Sequence, residues 1–86
     1  MFNIEYSSQS KNFLKKAEKQ LSERIIKKLE RLIDNPIPSD SKFIGRDEEG
    51  EAIFRYRIGD YRILYKLKHS QNIILITKID KRSLIY

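Results

Sequence analysis

The chain of 86 residues has no cysteine, a single histidine, two prolines and three glycines. Without cysteine there can be no disulfide framework and no thiolate metal site, a usage that fits a reducing compartment. The lone His69 has no companion with which to build a catalytic centre, so it is expected in a solvent-facing turn. No apolar run approaches the length of a membrane span, and the opening residues MFNIEYSSQ lack a basic segment followed by an apolar one. The expected setting is therefore the cytoplasm, with no role at a membrane. Repeats, linkers and low-complexity tracts are absent too, which leaves residues 1–86 as a single domain.

What is present is charge and a moderate apolar content. Hydrophobic residues make up 40% of the chain and charged residues 35%, a balance typical of a folded domain rather than a disordered tail. The net charge of +6 favours a polyanionic partner, whether RNA, DNA or an acidic protein. Many of the lysines (Lys11, Lys15, Lys16, Lys19, Lys27, Lys28) fall in the N-terminal half, where they read as the solvated face of amphipathic helices.

The stretch Ala52 to Lys68, AIFRYRIGDYRILYKLK, organises the rest. Two alternating runs flank Gly59-Asp60, which predicts a β-hairpin closed by a type II′ turn with glycine at the position of positive φ. In that register Phe54, Tyr56, Ile58, Tyr61, Ile63 and Tyr65 form a core face, and Arg55, Arg57, Arg62, Lys66 and Lys68 form the other. Arg57 then lies directly across from Arg62. Like charges so placed oppose folding by roughly 0.2–1 kcal/mol, so the pairing suggests an anionic ligand rather than a stabilising role.

Around the hairpin, alternation over Phe2 to Tyr6 predicts a strand. Ser7, Ser8 and Ser10 offer N-caps for a helix from about Ser8 to Lys19, and Ser22 is expected to cap a second helix carrying Ile25, Ile26, Leu29, Leu32 and Ile33. Asn35-Pro36-Ile37-Pro38 ends the helical half. Lys42 to Ile44 is a short strand, and Asp47-Glu48-Glu49-Gly50-Glu51 a polar connection whose spacing does not match a calcium loop, so no metal site is assigned. Ile73 to Ile79 reads as a central strand. The expected architecture is α+β: two N-terminal helices in a hairpin, packed on one face of a small, mainly antiparallel twisted sheet. The register also assigns Ile53, Leu64, Ile74 and Ile76 to the basic face, making it a mixed apolar and cationic surface.

Three features together resemble the RelE/ParE toxin superfamily of type II toxin–antitoxin systems over nearly the whole chain. They are Asn35-Pro36 closing the second helix, the segment FRYRIGDYRILY (Phe54 to Tyr65), and Lys81-Arg82 followed by Tyr86 near the C-terminus. Many members end in a His-Arg…Tyr pattern; here Lys81 stands in the histidine's place, which leaves the general acid or base open. The resemblance implies a RelE-like mRNA interferase, an endoribonuclease that cuts mRNA on the ribosome without a metal or cofactor. It also implies a cognate acidic antitoxin of the RelB kind, in a heterotetramer or larger complex, with operator DNA reached only through that antitoxin.

Attack by an RNA 2′-hydroxyl requires a proton to leave that oxygen, charge on the phosphoryl oxygens to be stabilised, and the departing 5′-oxygen to be protonated. Arginine suits the second task because its planar fork donates two hydrogen bonds to phosphate and stays charged. Arg62 and Arg82 are assigned to transition-state stabilisation, with Arg55, Arg57 and Lys66 as RNA and phosphate-binding groups. Lysine and tyrosine ordinarily titrate at about pH 10, but neighbouring cations favour their deprotonated forms, so Lys81 and Tyr86 are the candidates for proton transfer. Tyr86 is equally readable as a base-stacking ring or an apolar cap on the sheet. The arginines in turn are readable as ion-pair partners of Glu49 or Glu51, or of the antitoxin alone. Two further functions stay open: a ParE-like inhibitor of DNA gyrase, and a non-toxic regulatory member that only binds its antitoxin.

Overall fold

The structure, a computed structural model, describes residues 1–81, so the assignments to Arg82 and Tyr86 lie outside the described residues. Its elements are β1 (Asn3–Tyr6), α1 (Ser8–Lys16), α2 (Lys19–Glu30) continued by a 3-10 turn (Arg31–Ile33), β2 (Ser41–Arg46), β3 (Ala52–Ile58), β4 (Tyr61–Lys68) and β5 (Ile73–Lys81). The five strands lie in the order β1-β5-β4-β3-β2, with β1 parallel to β5 and every other pair antiparallel. Both helices cover one face of the sheet, as expected.

Helix α1 begins where the serines predicted. The Ser7 hydroxyl accepts from the Ser10 amide at 3.2 Å, satisfying one of the free donors of the first turn. The same turn closes the edge of β5 beyond the short β1. Ser10 Oγ donates to the Ile76 carbonyl at 3.0 Å, while the Gln9 side-chain amide donates to Ile79 O at 2.9 Å and accepts from Ile79 N at 3.0 Å. A glutamine side chain thus stands in for the missing strand, leaving little of that edge open to pairing.

The break between the helices differs from expectation. Ala17 and Glu18 adopt extended backbone, so α1 stops at Lys16 and Glu18, not Ser22, is the N-cap of α2. Ser22 lies inside α2, where its hydroxyl donates to the Leu14 carbonyl at 2.6 Å. It satisfies a carbonyl left free at the end of α1 rather than an amide at the start of α2.

Ile25, Leu29 and Leu32 bring the helical stripe down onto Phe54, Tyr56, Ile58, Ile63, Tyr65, Leu67, Ile74, Ile76 and Ile79. The hairpin register is the one expected: Arg57 faces Arg62, Ile58 faces Tyr61, and Phe54, Tyr56 and Tyr65 are buried. Gly59 has φ +58° and Asp60 is not in the positive-φ region, the signature of a type II′ turn. Tyr65 stacks on Phe54 with centroids 5.4 Å apart, and its hydroxyl donates to Pro36 O at 2.8 Å, tying the end of the helical half to the sheet. Burial pushes its phenol up to about 12.

The assignment of Ile74 and Ile76 to the basic face is corrected. Leu67 pairs with Ile74 and Tyr65 with Ile76, so both isoleucines are fully buried in the core. Asn72, in the left-handed conformation (φ 55°, ψ 41°), ends the turn into β5 one residue out of the expected phase, and a slip of one residue exchanges the two faces of a strand. A bulge at Thr77 then restores Ile79 to the core; the Thr77 hydroxyl donates to Leu64 O at 3.0 Å.

Candidate nucleic-acid interface

The sheet face that the helices leave uncovered carries Arg55 and Arg57 from β3 and Arg62, Lys66 and Lys68 from β4. The corrected register adds Leu75, Lys78 and Asp80 from β5, and cross-strand pairing with Arg55 adds Lys42 from β2. The one-residue slip and the bulge at Thr77 hid the β5 contributions from sequence reading.

Burial divides these cations. Arg57, beside the turn, is exposed, and Arg55 is half-buried. Arg62 is 1% exposed, the one fully buried charged side chain among the described residues, and its side chain is engaged rather than free. Arg62 thus keeps its expected register on the cationic face but is withdrawn from solvent there. Arg62 sits between strands, with Arg57 on one side and Asp80 on the other. Burial of a guanidinium strips its water, and in such surroundings its pull on a nearby anion is stronger than at an open surface.

Acidic partners are not distributed evenly. Among the described residues no ion pair involves Arg55 or Arg57, so neither is tied to Glu49 or Glu51. Lys66 instead takes the acids: its ammonium lies 2.8 Å from Asp47 and 3.9 Å from Glu51. Asp47 also accepts from the Glu49 and Glu51 amides at 2.9 Å each, so one carboxylate builds the turn and grips the lysine. The Lys66 hydrogen bond, helped by those amides, holds the Asp47 carboxyl below its usual range, and the same contact raises Lys66. Asp47, Glu49 and Glu51 lie close enough together to hold a cation, but the Lys66 ammonium already binds there.

Lys81 is not brought to the arginines. It pairs with Tyr61, a residue of the core face, and lines a groove of about 700 Å³ with Phe13, Lys16, Ala17, Leu21 and Tyr61. At this end of the sheet Asp80, not Lys81, shares the face of Arg62. His69 is exposed, in the turn after β4, and packs edge-to-face on Phe2 at 5.9 Å.

A helix pair on one face of a five-stranded sheet, with arginines of a central hairpin on the other, defines the α+β class of RelE-like domains. Solved structures of that class superpose on most of the chain. The RelE of the archaeal RelE–RelB complex from Pyrococcus horikoshii does so with a TM-score of 0.81 at 23% identity, covering 94% of each chain. The toxin–antitoxin complex RelBE2 from Mycobacterium tuberculosis gives 0.75 at 21% identity, over 94% of this chain and 98% of the other. Isolated RelE toxin of E. coli gives 0.77 at 14% identity, over 94% and 84%. In sequence, the chain is 31% identical over 85 residues to a Methanocaldococcus jannaschii protein assigned as a toxin, RelE1, covering 99% of this chain and 94% of the relative. Residues 4–86 match the family described as ParE toxin of type II toxin-antitoxin system, parDE. The chain belongs to this RelE/ParE family of toxins from type II toxin–antitoxin systems.

Proposed function

We propose that this toxin is a ribosome-dependent endoribonuclease of the cytoplasm, cleaving mRNA by attack of a 2′-hydroxyl on the adjacent phosphate. In that step the 2′-oxygen loses its proton and bonds to phosphorus, and the bond from phosphorus to the 5′-oxygen breaks as that oxygen takes a proton. The observation that carries the reading is the opposition of Arg57 and Arg62 on the uncovered face, with Arg55 beside them and no acid paired to Arg55 or Arg57 among the described residues. Arg57 and Arg55 capture and orient the phosphate. Arg62, desolvated, stabilises the charge that develops on its oxygens, and the reading gives Arg82 the same task from the C-terminal end. Lys66, already gripped by Asp47, lends longer-range attraction to the RNA rather than a direct contact. Tyr86 and Lys81 are the proposed proton carriers, and since Lys81 pairs on the Tyr61 side, Tyr86 is preferred.

The partner is an acidic antitoxin in a heterotetrameric or larger complex, with operator DNA reached only through it; relatives solved as RelE–RelB complexes support this pairing. A second reading, inhibition of DNA gyrase, draws on the match to a family described as ParE toxins. Expression without antitoxin separates the two. Translation arrest with mRNA cut inside open reading frames is the outcome expected of the nuclease; a DNA-damage response with intact mRNA would replace it with the gyrase reading, and normal growth would discard both.

A further inference from the structure

Two tyrosines of the hairpin meet edge-to-face with ring centroids 6.3 Å apart, yet only one of them uses its hydroxyl. Tyr65 donates to Pro36 O, whereas the Tyr56 hydroxyl has no hydrogen-bond partner among the described residues, although Tyr56 is only 3% exposed. A buried hydroxyl is ordinarily hydrogen-bonded. Tyr56 lines a cavity of about 240 Å³ at the C-terminal end of α2, together with Lys28, Arg31, Asn35 and Asp40. Burial pushes the Tyr56 phenol up; the Asp40 carboxylate adds to that and the Arg31 guanidinium opposes it, so both charges act on the hydroxyl end.

The cations of the cavity are loosely held. β2 pairs with β3 no farther than Ser41 against Tyr56, so the Arg57 carbonyl lies beyond the paired stretch, and the Lys28 ammonium caps it at 3.3 Å. The same ammonium stands 5.2 Å from the centre of the Tyr56 ring and 3.7 Å from Asp40. The Arg31 side chain has neither an ion pair nor a hydrogen bond among the described residues. Basic residues at the end of a helix complement its free carbonyls, which accounts for Lys28 and Arg31 as residue types. It does not account for a buried hydroxyl left open beside them. We propose that this cavity is a binding site for a phosphate group, separate from the arginine face. Lys28 and Arg31 supply the charge, and the Tyr56 hydroxyl and the Asn35 carboxamide donate further hydrogen bonds to the phosphate oxygens. Two cations against one carboxylate leave a single positive charge in excess, which matches a phosphodiester and repels a metal cation. Asp40, whose side chain is 58% exposed, turns out into solvent as the anion enters. Successive residues of a strand face opposite sides of the sheet, so the cavity lies on the helix side and Arg57 on the other. The phosphate belongs to an RNA backbone or to a free anion; the chemistry is shared, and the test separates the two.

Inorganic phosphate and a short all-2′-deoxy oligonucleotide, which lacks the nucleophile and is not cut, are titrated separately into the isolated chain. NMR follows the Asn35 carboxamide and the Arg31 guanidinium. Saturable shifts of both groups are expected: saturation by inorganic phosphate identifies a free-anion site, saturation by the oligonucleotide alone an RNA-backbone site, and each upholds the cavity. Tyr56→Phe should fold as the parent does, since its hydroxyl holds nothing, yet weaken binding about tenfold through the lost bond to a charged oxygen. Arg31→Gln should weaken it by at least as much. Asp40→Asn should instead tighten binding roughly fivefold, because it removes a like charge from beside the anion. No saturable shift with either probe, shifts confined to the Arg55 and Arg57 face, affinity indifferent to Tyr56→Phe, or weaker binding by Asp40→Asn overturns the proposal. The site stands or falls apart from the nuclease reading, since neither probe is cleaved.

Discussion

Lys66 and Arg57 leave the same face of the same hairpin, yet their surroundings are opposite. Around Lys66 the chain supplies Asp47 at 2.8 Å and Glu51 at 3.9 Å, in a turn that Asp47 itself organises. Around Arg57 it supplies Arg62 directly across, Arg55 on the same strand, and no acid paired to Arg57 among the described residues. One end of the cationic face is neutralised for folding, and the other is left with its charge opposed. The difference supports the proposed anion-binding role of the arginine end, where the protein gives up a little stability.

The tyrosine side of the hairpin sharpens this contrast, and the largest effect is expected there. Tyr65→Ala should destabilise the fold by about 3–5 kcal/mol, because the ring is fully buried and stacked on Phe54. Tyr65→Phe keeps the packing but leaves the Pro36 carbonyl without its donor, at a cost of roughly 1–2 kcal/mol. Urea denaturation of both variants measures the difference. If the two fell together, the hydroxyl rather than the ring would be holding the helical half to the sheet.

Asp47→Asn probes the neutralised end, with a smaller loss than either tyrosine change and a diagnostic dependence on pH. A carboxyl whose folded pKa is lowered stabilises fully above its ordinary value of 3.8 and loses that contribution as pH falls through the lowered one. Lys66, raised above 10.5, contributes below that value and loses its contribution as pH climbs past the raised one. Thermal melts across the acid range should therefore show the parent losing its margin over Asp47→Asn as pH drops below about 4; a constant margin would mean the ion pair does not form in solution.

The smallest effect on stability belongs to the opposed end. Arg57→Ala should leave the fold unchanged or firmer by roughly 0.2–1 kcal/mol, since it relieves the repulsion from Arg62. A clear destabilisation would mean that the arginine face is structural and the comparison with Lys66 void.

Legibility in the sequence followed the same division. The hairpin could be read outright, turn type and register included, because Gly59-Asp60 admits few conformations and strict alternation leaves one face for the core. The face of β5 could not be read. Its apolar residues run nearly without interruption, so phase there depends on Asn72 in the turn and on the bulge at Thr77, and neither is announced by periodicity. The Ser22 hydroxyl was misplaced for a related reason: a serine near a helix boundary serves the end of one helix as readily as the start of the next. In the site, the arginines and their opposition were legible as residue types at a spacing. The burial of Arg62 and the capture of Lys66 by Asp47 depend on how distant segments fold over the sheet, which spacing alone does not convey.

The measurement closest to the central claim is cleavage of ribosome-bound mRNA by Arg57→Ala, mapped by primer extension after expression without antitoxin and paired with a melt of the same variant. The expected result is a fully folded protein whose cleavage falls by about tenfold or more, in line with the loss of one charged donor to a reacting phosphate. Cleavage at the parental rate by a folded Arg57→Ala protein would contradict the account, and would show that the opposed arginines do not hold the substrate.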